Sequence, residues 1–425
     1  MFRRRIFMKQ LAFLFLGTLT ISARAVEPTR PNVLLILGDD QAWTDFGFMG
    51  HPTIQTPHFD KFAKESATFT RGYVPTSLCR PSLVTFLTGR YPHEHRICGN
   101  DPAPGIDRRE MLKHIHRLPT LPKWLGAEGY VSFQTGKWWE GNPQEDGKFT
   151  AGMSHGDPKR GGRHGDLGLK ISREGHQPII DFLDAHPGKP FFLWHAPFLP
   201  HTPHTPPERL FAKYRAPDRP MTVARYYAMC EWFDETLGDV LGLLDQRGLR
   251  NNTLVVFATD NGWIQDPKGN NFAPKSKRSP YDGGLRTPII VRWPDRVTPA
   301  LYDTPVSSVD IVPTILAACG ITPVEPLPGL NLLAIADAKG QCDRQSLFGE
   351  IFEHDVADID DPSQSLLYRW TLSAGRWKLI QPAATGAAAE LYDVLADPHE
   401  TKNLADSESA RVVELQKSLD RWWTP

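Results

Sequence analysis

Short apolar runs bounded by turn residues alternate along this chain with longer segments of helical periodicity. "NVLLILGDD" (Asn32 to Asp40) is continuously apolar in its middle, the mark of a strand buried on both faces, and it ends in carboxylates. "TPHFDKFAKESATF" (Thr56 to Phe69) then takes up helical spacing, with Thr56 as N-cap, Pro57 at the first helical position and Phe59, Phe62 and Ala63 facing inward. Further strands are predicted at "YVSFQTGK", "PFFLWHAP", "NTLVVFATDNG" and "LRTPIIVRWP". Before the third of these, Phe233, Leu237, Val240, Leu241 and Leu244 fall on one face of a long helix that Gly248 ends. "SSVDIVPTILAACG" reads as another helix, closed near Gly320. Strands alternating with helices predict an α/β fold, a large, mostly parallel sheet sandwiched by helices.

Past Ile321 the pattern changes. "ITPVEPLPGLNLL" is a Pro-rich connector. "LLYRWTLSAGRWKLIQP" predicts two antiparallel strands with a turn near Gly375, "ELYDVLADPHETKNLA" another strand and a turn, and "SARVVELQKSLDRWW" a closing helix. The expected organisation is a catalytic domain over 26–325 and a small C-terminal α+β subdomain over 326–425.

The first 25 residues belong to neither. Arg3, Arg4, Arg5 and Lys9 precede an apolar run from Leu11 to Ile21, and Ala23-Arg24-Ala25 offers a cleavage site, the layout of a secretory signal peptide. The run is too short to span a bilayer, so an exported chain without stable membrane insertion is expected, periplasmic or extracellular. With 48 Lys and Arg against 49 Asp and Glu, nothing favours nucleic acid or an anionic membrane surface. The five cysteines, Cys79, Cys98, Cys230, Cys319 and Cys342, have no zinc spacing and no disulfide framework, and their odd number leaves at least one unpaired.

Three predicted strands end in polar groups where parallel sheets bind ligands: Asp39-Asp40, Gly136-Lys137 and Asp260-Asn261. Each acidic pair alone is as readily a strand-end turn. Together they supply hard oxygen ligands suited to calcium or magnesium. Lys137, His201 in "LPHTPH" and Lys277 in "PKSKRSPYDGG" add cationic groups, and a divalent cation among them would clamp a tetrahedral oxyanion. Cys79, at the Pro-rich turn "PTSLCRPS", could serve a disulfide, a metal, nucleophilic attack or a modification.

With "PNVLLILGDDQ", "CRPSLVTFLTGRYP", "GYVSFQTGKWW", "FATDNG", "KRSPYDGG", "GRWKLI" and "LYDVLADPHETKNL" in this order, the chain resembles the formylglycine-dependent sulfatases of the alkaline-phosphatase-like superfamily. The resemblance implies hydrolysis of a sulfate ester, and export and Trp content suggest a sulfated carbohydrate. It implies that Cys79 is oxidised by a maturation enzyme to Cα-formylglycine, whose hydrated aldehyde supplies the nucleophilic oxygen. A thiolate would form a sulfur–sulfur ester without an easy exit, whereas a gem-diol can expel sulfate with its second hydroxyl. Carried over by position, Asp39, Asp40, Asp260 and Asn261 ligate Ca2+ (or Mg2+) with the modified Cys79. Lys137 and Lys277 hold sulfate oxygens, and His201, with Lys277, protonates the leaving alcohol.

Two positions depart from the family pattern. Leu83 stands where an arginine usually follows the cysteine by four residues, and Trp139 where a histidine usually follows the signature lysine by two. His155 or His164 is the candidate replacement for that histidine, and Trp138 and Trp139 the candidate stacking wall for a sugar. The alternatives are a phosphoester or phosphonate hydrolase on the same scaffold, and an anion-binding homologue without turnover.

Overall fold

The computed structural model describes residues 30–156, 167 and 170–425. The leader expected over 1–25 and the loop residue His164 lie outside the described residues.

Among the described residues the main sheet has nine strands. Its body is β1 (Asn32–Gly38), β2 (Ala67–Tyr73), β3 (Val131–Gly136), β4 (Phe191–Ala196), β5 (Thr253–Thr259) and β6 (Arg286–Arg292). Short strands at Ala151–Gly152, Ala300–Tyr302 and Val306–Ser307 complete the edges. In space the body runs β2-β6-β5-β1-β4-β3, all parallel except β6, which is antiparallel to both neighbours.

The period of two along β1 explains its unbroken apolar run. Val33, Leu35 and Leu37 enter one core with Phe86 and Leu87 of α2 (Cys79–Thr88) and Val312, Ile315 and Leu316 of the helix Ile311–Ala318. Leu34 and Ile36 enter the opposite core with Phe59 and Phe62 of α1 (Pro57–Lys64) and Phe233, Leu237 and Val240 of α3 (Met221–Gln246). Both faces of the sheet are therefore covered by helices, as the sequence pattern predicts.

Two local expectations need correction. The helix expected over Thr56 to Phe69 ends at Lys64, and Ala67 begins β2. Thr68 pairs with Ile290 and Phe69 with Ile289, so a distant strand overrides the local helical spacing. Thr56 holds the N-cap position without capping: its Oγ1 accepts from Gly47 N at 2.7 Å and donates to Asp60 Oδ1 at 3.1 Å. The first-turn N–H groups of His58 and Phe59 donate instead to Asp234 of α3, at 3.1 and 2.7 Å.

The C-terminal region is a four-stranded antiparallel sheet in the order β7 (Ser346–Phe352), β8 (Leu366–Ser373), β9 (Trp377–Pro382), β10 (Glu390–Asp393). The hairpin expected at Gly375 is present, with that residue at φ 63°. The closing helix α4 (Ser409–Trp422) packs Leu415 and Leu419 on Leu379 and Leu391. This sheet is fastened beneath the Cys79 turn: Trp370 Nε1 donates to Pro75 O at 3.0 Å, and buried Lys378 lies 2.7 Å from Asp282 Oδ1 and 2.8 Å from Glu400 Oε1. Among the described residues no helix is long and apolar enough to cross a membrane.

Candidate active site

The parallel strands β1, β3, β4 and β5 deliver their last residues to one side of the sheet. Asp39 N donates to Leu199 O and Asp260 N to Gly38 O, both at 2.9 Å, so the turns after β1, β4 and β5 are tied together. Asp40 sits in the left-handed region, φ 61°, where the chain leaves the sheet. Cys79 is the first residue of α2, so the partial positive charge of that helix end falls on it. Lys277 comes from the loop between β5 and β6. That loop lies against the Gly283-Gly284 turn, where a Cβ would approach Lys275 O to 2.3 Å and Ser276 O to 2.2 Å, respectively.

The side chains named from the sequence converge. Lys137 Nζ is 2.6 Å from Asp39 Oδ1 and 3.1 Å from Asp260 Oδ2. Lys277 Nζ spans both oxygens of Asp40 at 2.6 and 2.8 Å. Asn261 Nδ2 donates to Asp40 Oδ1 at 2.7 Å, and His201 Nε2 is 3.3 Å from Asp40 Oδ2. Ligand atoms of Asp39, Asp40, Cys79 and His201 lie within 4.8 Å of one another.

Burial makes this cluster electrostatically tense. It raises the carboxyl of Asp39 and, with Asp39 as neighbour, pushes Asp260 up to about 7. At Asp40 burial also works against the charge, but Lys277, His201 and Lys137 outweigh it and hold the carboxyl low. Burial works against the charged forms of the two lysines as well, yet the surrounding carboxylates keep both ammonium groups well above the usual range. Burial drives His201 down to about 3 and pushes the Cys79 thiol up to about 12. That thiol is protonated at neutral pH and is no nucleophile as it stands.

The donor set fits a hard divalent cation. Among the described residues Asp39 Oδ2 and Asn261 Oδ1 are buried oxygens without a hydrogen-bond partner, in the same cluster as Asp40 and Asp260. With all three carboxylates ionised against two ammonium groups, the cluster would be net negative and would repel a sulfate. A bound divalent cation reverses that sign.

Other expectations fare differently. Trp138 and Trp139 are 2% and 5% exposed and belong to the core, so neither is a sugar-stacking wall. Trp138 donates to Gly141 O at 2.9 Å and stands edge-on to Trp194 and Phe149. Leu83 and Trp139 line one small internal void together with Leu87, Trp138 and Trp194. The two departures from the family pattern thus border one apolar space: where the pattern has two polar groups, this chain has a leucine and an indole. His155 is half-buried just past the edge strand Ala151–Gly152. All five cysteines are free thiols.

Arg80 and Glu140 are part of the site's support without any motif of their own in the sequence. Arg80, fully buried next to Cys79, sends Nε and Nη2 to the two oxygens of Glu140 at 2.7 and 2.9 Å and Nη1 to Asn100 O at 3.2 Å. The pair joins the helix that carries Cys79 to the segment that carries Lys137. The available signal was one charged residue beside each motif. His204 of "LPHTPH" was quoted but given no role.

The comparisons with known proteins bear on the family and the fold. The Sulfatase family model matches residues 31–321, and the model for N-sulphoglucosamine sulphohydrolase, C-terminal, matches 272–422. Arylsulfatase A of Bos taurus is 26% identical over 92% of this chain and 86% of its own length. A structure solved in complex with its substrate D-glucosamine-2-N,6-O-disulfate superposes with a TM-score of 0.73 at 19% identity, covering 92% of this chain and 96% of that one. The phosphonate monoester hydrolase of Agrobacterium radiobacter reaches a TM-score of 0.69 at 19% identity over 92% and 94%, a likeness of fold alone. Nearly the whole described chain is accounted for by these matches, and the chain belongs to the sulfatase family, hydrolases of sulfuric esters.

Proposed function

We propose that this chain hydrolyses a sulfate ester of a carbohydrate, with Cα-formylglycine at Cys79 and a calcium ion at the adjoining carboxylates. The observation that carries the reading is the convergence of Lys137, Lys277, Asp39, Asp40 and His201 at the N-terminus of α2, beside a thiol too weakly acidic to act. Conversion of that thiol to a hydrated aldehyde supplies an oxygen nucleophile there. Asp39, Asp40, Asp260 and Asn261 would hold the cation, which when bound supplies positive charge toward the sulfate oxygens.

The chain's own residues then have separate tasks. Lys137 and Lys277, released from neutralising carboxylates, hold non-bridging sulfate oxygens and stabilise charge as it builds. His201 is placed to deliver a proton to the departing sugar oxygen, with Lys277 alongside. Burial keeps its imidazole neutral, so the proton has to be taken up as the sulfate ester binds, with Asp40 favouring the charged form. Burial of the cluster excludes bulk water from the bond being broken. Magnesium is the competing occupant of the cation site. The relative solved with a glucosamine disulfate supports a sulfated carbohydrate as substrate class.

The test is a panel of aryl and sugar sulfates against aryl phosphates and phosphonates, with protein made in a host that matures the cysteine. Sulfate release well above phosphate or phosphonate release is expected. The reverse order would reassign the chain to phosphoester or phosphonate chemistry, and tight anion binding without product would make it a binding homologue.

A further inference from the structure

Beside His201 the surface opens into a cleft of about 610 Å³. Its polar lining is His201, Thr202, His204, Thr205, Arg225 and Asn270, and among the described residues no carboxylate lines it. The ring of His204 is packed between Tyr226, 5.4 Å away, and the edge of Trp263 at 6.2 Å. Both its nitrogens are buried without a hydrogen-bond partner among the described residues. Whichever tautomer is present, one donor and one acceptor stand unused.

The positive charge around this ring comes from two guanidinium groups. Arg225, on the exposed side of α3, lies over the ring of Phe211 at 5.5 Å. Arg173 braces the loop from behind, donating to Phe198 O at 2.9 Å and to Thr205 Oγ1 at 3.2 Å. Arg173 is committed to the loop, while Arg225 is directed to the cleft lining.

We infer that the cleft is a leaving-group subsite for a sugar that carries a second anionic substituent besides the sulfate to be cleaved. The substituent is a carboxylate or another sulfate, met by Arg225 and, once the ring turns toward the cleft, by the N–H of His204. The inference deepens the sulfatase reading above and rests on it. A neutral leaving group would leave the buried His204 nitrogens unpaired and gain nothing from Arg225. Sites of this kind discriminate strongly against the analogue that lacks the polar group.

The experiment compares kcat/KM of the matured enzyme on 4-nitrophenyl sulfate, a monosulfated hexosamine, the disulfated hexosamine and a sulfated uronate. The wild type is expected to prefer at least one doubly anionic sugar over the monosulfated one by about tenfold or more. Arg225→Glu should lower that preference ratio by about tenfold, chiefly through KM, and Arg225→Lys should keep most of it. His204→Ala should lower it as well. The disulfate and uronate arms tell which anion is bound. Equal kcat/KM on singly and doubly anionic sugars, or a ratio untouched by Arg225→Glu, overturns the inference. Cleavage of 4-nitrophenyl sulfate in that case leaves the sulfatase reading standing, whereas an aldehyde-bearing enzyme that cleaves none of the four overturns both.

Discussion

Glu140→Leu is the sharpest test of how the site is held together. Arg80 is fully buried and Glu140 2% exposed, and among the described residues their bidentate contact leaves the guanidinium otherwise only Asn100 O and the sulfur of Met111. Removing the carboxylate strands a buried cation, which costs about 3–5 kcal/mol. With an unfolding entropy near 2.1 cal/mol/K per residue, a cooperative unit of about 400 residues loses roughly 4–6 °C in Tm. Arg80→Met, which strands the carboxylate instead, should cost a similar amount. The double variant Arg80→Met/Glu140→Leu should be more stable than either single one, because replacing both partners leaves no unpaired charge. Calorimetry on the wild type and the three variants closes the cycle. A Tm drop below about 1 °C in the singles, or a double variant whose loss equals their sum, would refute the reasoning. Since Arg80 adjoins Cys79 and Glu140 lies three residues past Lys137, the single variants should also lose kcat rather than raise KM.

Three further predictions follow from the same geometry. Lys137→Ala and Lys277→Ala should each lower kcat/KM for sulfate esters by about 10²–10³-fold, and activity within about threefold of wild type would remove that lysine from the sulfate clamp. Stripping divalent cations with a chelator should lower both activity and Tm, because binding to the folded carboxylates alone adds stability, about 2.7 kcal/mol at a hundred times Kd. Restoration by calcium supports the site, and full activity after chelation excludes it. His51 Nδ1 accepts from Thr53 N at 3.0 Å and Ile54 N at 2.7 Å, and burial with Arg219 nearby lowers its pKa to about 4 from 6.5. The unfolded chain therefore takes up the proton first, so stability should fall as pH drops from about 6.5 to about 4. His51→Asn, which can still accept at that turn, should flatten this part of the profile measured by denaturant unfolding, and an unchanged slope would show that His51 is not its source.

The chemistry was legible where a residue's place follows from its own strand. Asp39-Asp40, Lys137 and Asp260-Asn261 each end a buried apolar run, and parallel pairing of β1 with β5 and β4, and of β4 with β3, carries them to one edge. Cys79 was legible as a special position, since a lone cysteine at a Pro-rich turn opens α2. What depended on distant partners was not. β2 looked like the tail of a helix because its pairing with β6 is made more than 200 residues away in sequence, as in Thr68 with Ile290. Trp138 and Trp139 looked like a substrate wall because adjacency to Lys137 says nothing of which way the segment after β3 turns. It turns inward, against Leu83 and Trp194. Arg80 and Glu140 carried no signal in sequence beyond their place beside a motif until the fold brought them together, and His204 had no role until the fold set its nitrogens, without a hydrogen-bond partner among the described residues, beside a cleft.

The central claim is that the side chain at position 79 works as an aldehyde and not as the thiol that the gene encodes. Mass spectrometry of the peptide spanning Gly72 to Arg90, on the same preparation whose sulfate release is measured, tests it directly. The prediction is an aldehyde at Cys79 whose fraction tracks specific activity from one preparation to the next. Full activity in a sample whose Cys79 is wholly thiol would contradict it.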